Sequence, residues 1–213
     1  MPRLIAKIAP RKDEPECEIW EDDDLRVYFT ADADIDADGA NGQFGAPAAY
    51  MLGDQGSDYL QNGGMYEKDG KVYCDEPGKG NIAILDDDGH PKIFDGGIVG
   101  CKTTYKDPTK AVTDPYAYID AATVPYIVVP GQVIEETEGV VIGCLARATY
   151  NGQSVDCVVA DVSSRKKIGE LSIAAAAALG INSSPRHGGT NDPNVLYELW
   201  PGVSAEGYVL IPS

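Results

Sequence analysis

The chain has 213 residues, a formal net charge of −17 at pH 7 and a sequence pI near 4.3. Such a charge repels nucleic-acid phosphates and anionic lipid surfaces, so neither is an expected partner, and it would attract a polycation. Glycine (24), proline (14) and tyrosine (12) are plentiful and helix-period stretches are scarce, which predicts a mainly β fold of short strands and turns.

No linker of shifted composition divides the chain, so one compact domain is expected: an acidic N-terminal arm with a first strand over 1–24, then the main body over 25–213. No stretch approaches the roughly 20 apolar residues of a membrane helix. The apolar run within Met1 to Lys12 is short for a signal peptide and no small-residue cleavage site follows it. Localisation is therefore left open between synthesis in the cytosol and an export route not visible here. Cys17, Cys74, Cys101, Cys144 and Cys157 are odd in number and lack the close-spaced pairs of a zinc site, so reduced, mostly buried thiols are expected, with one or two bridges as the alternative in an exported protein.

In chain order, Arg3 to Ala9 reads as a strand and the acidic Asp13 to Asp24 as a surface arm or loop. Leu25 to Gly39 reads as a strand running into a turn, followed by a glycine-rich stretch to Gly64. Lys71 to Tyr73, Asn81 to Leu85, Lys92 to Phe94 and Gly97 to Thr104 are short strand candidates, with Asp88-Gly89 as a turn. Val124 to Val129 is bracketed by Pro125 and Pro130, which predicts a strand at an edge or one that leaves the sheet early.

Val140 to Tyr150 and Ser154 to Val162 make the clearest hairpin, because Asn151-Gly152 suits a two-residue type I′ turn. One helix is predicted from about Gly169 to Leu179, with Leu171, Ala174, Ala175 and Ala178 on one face and Gly180 ending it. Val195 to Trp200 and Tyr208 to Ile211 read as closing strands. The expected fold is a β-barrel-like domain, with the double-psi barrel as one candidate topology, and one helix packed beside the hairpin.

The turn fixes a register in which Ala148 faces Val155, Ala146 faces Cys157, Cys144 faces Val159 and Ile142 faces Asp161. Asp161 would thus end an apolar row, where it needs a strong partner or a raised pKa, as a general acid does. Glu170 would sit at the start of the helix, where the dipole favours its ionised form. One carboxyl pushed towards neutral and one held charged is the pattern of an acid and base pair. Common structural roles, a strand-end loop cap and a first-turn glutamate, account for the same two residues on spacing alone.

A second constellation runs from Thr30 to Gly39. In a strand, Asp32, Asp34, Asp36 and Asp38 share one face about 6.6 Å apart while Ala31, Ala33, Ile35 and Ala37 face inwards. Four like charges in a row call for a cationic sugar chain, a metal or full solvation. Asp34 to Gly39 opens like a calcium loop, but an EF-hand is disfavoured: with Asp34 first, the twelfth position is Gly45, and no helix precedes the motif. His90 and His187 lie in no recognisable triad context and no phosphate loop is present, so no metal and no cofactor are assigned.

These constellations resemble the chitosanases of glycoside hydrolase family 75, over about Tyr28 to Pro201. The segments that carry the resemblance are Tyr28 to Gly39, Pro125 to Pro130, Ala160-Asp161-Val162 with Lys167 to Ile173, Ala178 to Ile181, and Pro185-Arg186 through Trp200-Pro201. Family members often have Gly-Pro where this chain has Ser163-Ser164. The resemblance implies an endo-acting, inverting hydrolase of β-1,4-linked glucosamine, with Asp161 and Glu170 essential and the acidic stripe binding a cationic amino-sugar polysaccharide. Such a substrate implies action outside the cell. Peptidoglycan or another amino-sugar polymer is the alternative substrate, and a non-catalytic wall-glycan or calcium-binding module the alternative function.

Overall fold

The turn at Asn151-Gly152 forms as expected, both residues having positive φ (48° and 79°), as a type I′ turn requires. The computed structural model describes residues 1–9, 16–75, 82–164 and 167–212. The strands are β1 (Arg3–Ile8), β2 (Cys17–Glu21), β3 (Val27–Asp36), β4 (Tyr50–Met51), β5 (Met65–Lys68), β6 (Lys71–Cys74), β7 (Ile93–Phe94) and β8 (Ile98–Val99). They continue with β9 (Tyr126–Pro130), helix α1 (Gly131–Glu136), β10 (Cys144–Tyr150), β11 (Gln153–Ser163), β12 (Glu170–Ser172), helix α2 (Ile173–Ala178) and β13 (Thr190–Ser204).

The main sheet has the order β1-β2-β3-β12-β9-β11-β10-β13, and β13 pairs back onto β3. Six strands therefore close into a mixed barrel, with β12 parallel to β3, β11 parallel to β9, and the other ladders antiparallel. Residues opposite one another share a face. One such set, containing Phe29, Ala31, Ile127, Ala146, Cys157, Val159, Leu171, Val195, Tyr197 and Leu199, is apolar and buried and fills the barrel. Phe29 and Tyr197 stack across two of these strands at 4.9 Å.

Several boundaries differ from the sequence reading. Part of the expected acidic arm is strand β2, whose pairing with β1 and β3 is carried by Cys17, Ile19 and Trp20; residues 13–15 of that arm lie outside the described residues. The stretch 97–104 pairs as a strand only at Ile98–Val99, and 82–85 makes isolated bridges; Asn81 is outside the described residues. Residues 190–204 form one long strand, whereas 208–211 contributes only a bridge from Ile142 to Ile211. Helix α1 follows directly on β9, with Pro130 as its N-cap residue.

Strand β9 is central, not an edge, lying between β12 and β11 with every residue buried. Its prolines are harmless because they fall at the ends: Pro125 precedes the strand and Pro130 closes it, so no interior donor is lost. The first donor, the Tyr126 N–H, is taken by Ser172 Oγ at 3.0 Å.

The same serine corrects the helix. Ser172 Oγ accepts the Ala175 N–H at 3.1 Å and is the N-cap, so α2 begins at Ile173 and the preceding three residues form β12. Gly180 ends the helix as expected, with positive φ. The buried Ala175 and Ala176 let α2 pack against β11, β12, β3 and β9. The five cysteines are free thiols, four of them buried.

Candidate active site

Hairpin pairing between β10 and β11 follows the expected register from Tyr150–Gln153 to Leu145–Val158 and then stops. Cys144 and Ile142 therefore do not face Val159 and Asp161; Cys144 pairs with Ser204 and Ile142 with Ile211. Beyond Val158, β11 pairs with β9, and a bulge at Ala160 breaks the alternation: Val159 lies opposite Ile127 and Asp161 opposite Val128. The extra residue moves Asp161 from the barrel's inner face to its outer face. Val128 is in turn opposite Glu170, and Glu170 opposite Asp34. Asp161, Val128, Glu170 and Asp34 thus form one transverse row over four neighbouring strands.

Glu170 is on a strand, so the helix dipole does not act on it. The neighbouring residue makes that pairing possible: Gly169 has φ +87°, and a Cβ there would stand 2.6 Å from Asp32 Oδ1 and 2.7 Å from the Asp32 carbonyl oxygen. Only glycine lets β12 lie this close to β3.

The row opens into a cleft of about 710 Å³ between the barrel wall and two loop stretches, Asp58 to Gly64 and Pro185 to Gly188. Asp34 and Asp36 project from β3 into the cleft, and Asp38 joins them from the turn that follows. That turn needs Gly39, whose φ is +78° and where a Cβ would meet the Ile119 carbonyl oxygen at 1.9 Å. Ala31, Ala33 and Ala37 are buried as expected and Ile35 packs against the core. Asp32 is the exception to the predicted stripe, because it lines a different cavity on the far side of Gly169.

Six carboxylates line the cleft, Asp34, Asp36, Asp38, Asp58, Asp161 and Glu170, against two permanent cations, Lys167 and Arg186. Burial pushes the Asp161 carboxyl up to about 7, reinforced by the charge of Asp36; this outweighs hydrogen bonds donated by Thr104 Oγ1 (2.5 Å), Thr104 N–H (3.1 Å) and Val162 N–H (2.7 Å). Burial also pushes Glu170 up to about 7, against the nearby Lys167 ammonium. Lys167 loses stability as a cation through burial, yet its pKa is raised because it pairs with Glu170 and faces Asp34 and Asp36.

Asp36 and Asp38 are also held above the usual carboxylate range, by burial first; for Asp38 the charges of Asp36 and Asp161 add to it. Tyr50 donates to Asp38 Oδ1 at 3.2 Å, and the buried Tyr126 hydroxyl donates to the Asp38 carbonyl at 3.0 Å. Oxygen atoms of Asp36, Asp38 and Asp161 all lie within 4.8 Å of one another, so these three could hold a hard divalent cation.

Lys167, Tyr50, Asp58, Arg186 and His187 were not singled out for this cleft by the sequence. Arg186 donates to the carbonyls of Asp54 (2.5 Å), Gly56 (2.7 Å) and Asp58 (3.3 Å) and stacks 4.1 Å from the Tyr59 ring centre, pinning the facing loop. His187 reaches the Tyr59 hydroxyl at 3.5 Å and lines the cleft. Among the described residues no helix is long and apolar enough to cross a membrane. No protein-family model matches this chain, and no curated protein compared with it is similar.

Proposed function

We propose that the chain is an endo-acting, inverting glycoside hydrolase that cleaves β-1,4-linked glucosamine polymer. The observation that carries this reading is the transverse row, in which Asp161 and Glu170 stand two strand spacings apart with Val128 between them. At about 4.8 Å per spacing their backbones are roughly 9.6 Å apart. Side chains leaning together from that backbone spacing reach the roughly 6.5–9.5 Å carboxyl separation that admits a water more readily than the 5–5.5 Å of a covalent mechanism.

The surroundings suggest the roles. Asp161 is flanked by Asp36 and Asp38, so it is the carboxyl better placed to keep a proton and give it to the leaving glycosidic oxygen. Glu170 has Lys167 against it and is better placed to remain charged, taking a proton from the water that attacks the anomeric carbon. Asp34, Asp36 and Asp38 offer charge to the ammonium groups of flanking glucosamine units. Purified protein assayed on chitosans of graded acetylation should release reducing ends faster as acetylation falls. Absence of release from every chitosan would overturn the reading, and release from peptidoglycan alone would move it to the cell wall.

A second reading rests on the three clustered carboxylates, which would make the cleft a cation site. Calcium that raised the melting temperature while chitosan remained uncut would favour it.

A further inference from the structure

The two loop stretches that wall the cleft belong to different parts of the molecule. Residues 58–64 follow β4, which pairs with β8 in a small sheet outside the barrel. Residues 185–188 lead into β13 of the barrel itself. Each stretch is anchored beside a glycine with no room for a side chain. A Cβ on Gly56 would stand 2.0 Å from the Ala49 carbonyl oxygen, and one on Gly189, at φ +85°, 2.3 Å from that of Ala33.

Arg186 crosses from one stretch to the other. A single nitrogen, Nη2, is shared by the carbonyl oxygens of Asp54, Gly56 and Asp58, and the Tyr59 ring lies against the guanidinium. Three carbonyl oxygens gathered at one point make a site of negative partial charge, which is stable only with a cation in it. The chain bends sharply to gather them: Gly53 and Asp54 both have positive φ (68° and 51°), uncommon for an aspartate. What this wall presents to the cleft is Asp58. Its side chain is buried in the wall, with Oδ1 accepting from the Tyr59 N–H and from Asn62 Nδ2, both at 2.7 Å.

We propose that Arg186 is a positioning residue of the cleft: it supplies the cation around which residues 54–58 fold, and so holds the wall that carries Asp58 in place against Asp161 and Glu170. Acting through the wall and not on the reacting atoms, it governs how firmly a polymer is held more than how fast it is cut. That the polymer is glucosamine rests on the hydrolase reading above; the fixing of the wall does not.

Hydrogen exchange of the full-length protein reads the wall without any substrate. The Ser57 and Asp58 N–H groups donate to the Ala48 and Ala49 carbonyls, both at 2.9 Å. In Arg186→Ala these two amides should exchange at least about tenfold faster, with the β3 and β13 amides unchanged, and guanidinium ion well below denaturing concentration should restore them. On glucosamine oligomers, KM should rise at least about tenfold while kcat changes by less than about threefold, and guanidinium should reverse the rise. Should Arg186→Ala fail to fold, Arg186→Lys, which keeps a cation but loses the planar contact with Tyr59, should show the same changes to a lesser degree. Unaltered exchange at Ser57 and Asp58, or a fall in kcat with KM unmoved, would overturn the proposal. Faster exchange that guanidinium reverses, where the parent protein cuts no chitosan, would sustain the fixed wall and remove the hydrolase reading instead.

Discussion

Asp161 and Glu170 sit in the same cleft on either side of one intervening strand, and burial pushes both to about 7 with the charge of Asp36 adding to each, yet only Glu170 has a cation beside it. Around Asp161 stand two more carboxylates and only neutral donors, from Thr104 and Val162. Beside Glu170 stands an ammonium, Lys167. Burial alone therefore does not assign an acid and a base. The asymmetry comes from which neighbour compensates the charge.

The largest effects should come from removing either member. Asp161→Asn and Glu170→Gln should each lower turnover on chitosan at least about a hundredfold with circular dichroism unchanged. A variant retaining near-normal turnover would remove that residue from the mechanism.

Removing the asymmetry without touching the pair should act less severely. Lys167→Met takes away the cation that favours charged Glu170, so the acidic limb of the pH–rate profile should move up by about one unit, and turnover near pH 6 should fall about tenfold. Lys167→Arg should recover most of it. An unshifted acidic limb in Lys167→Met would show that Lys167 does not set the base.

The same burial predicts how stability depends on pH. With folded pKa values near 7, well above those of an unfolded chain, Asp161 and Glu170 bind more protons when folded between about pH 4 and 7. Stability must then fall as pH rises through that window, by at most about 1.4 kcal/mol per pH unit for each proton. Asp161→Asn should flatten the fall and raise the melting temperature at pH 8. A parent protein more stable at pH 8 than at pH 5 would contradict the charge assignments.

The smallest effect concerns affinity. Binding of a polycation by the cleft should weaken as salt shortens the Debye length from about 10 Å to 3 Å, and Asp34→Asn with Asp36→Asn should flatten that dependence. Affinity independent of salt would place the cationic groups of the substrate elsewhere.

Much of the frame could be read from residues whose local chemistry has one good solution. Asn151-Gly152 fixed the hairpin and its first six pairs, and the Asp/Ala alternation in β3 sorted its two faces. The site's geometry was less legible. Nothing in Val158-Val159-Ala160 marks a bulge, because each residue is equally at home on either face of a covered strand. It was set by the switch of β11 from β10 to β9. The boundary before α2 was legible in principle, since Ser172 followed by Ile173 to Ala178 is an N-cap ahead of a helix former run. The Lys167–Glu170 pair has helical spacing without a helix and forms only because the chain enters β12 beside β3.

The central claim is that two strand spacings leave room for a water between Asp161 and Glu170. Proton NMR of the first products from chitosan, recorded before mutarotation, reads this directly. The geometry predicts the α configuration at the new reducing end. A β product would mean a covalent intermediate and carboxyls about 5–5.5 Å apart, with a nucleophile where Glu170 is assigned as base.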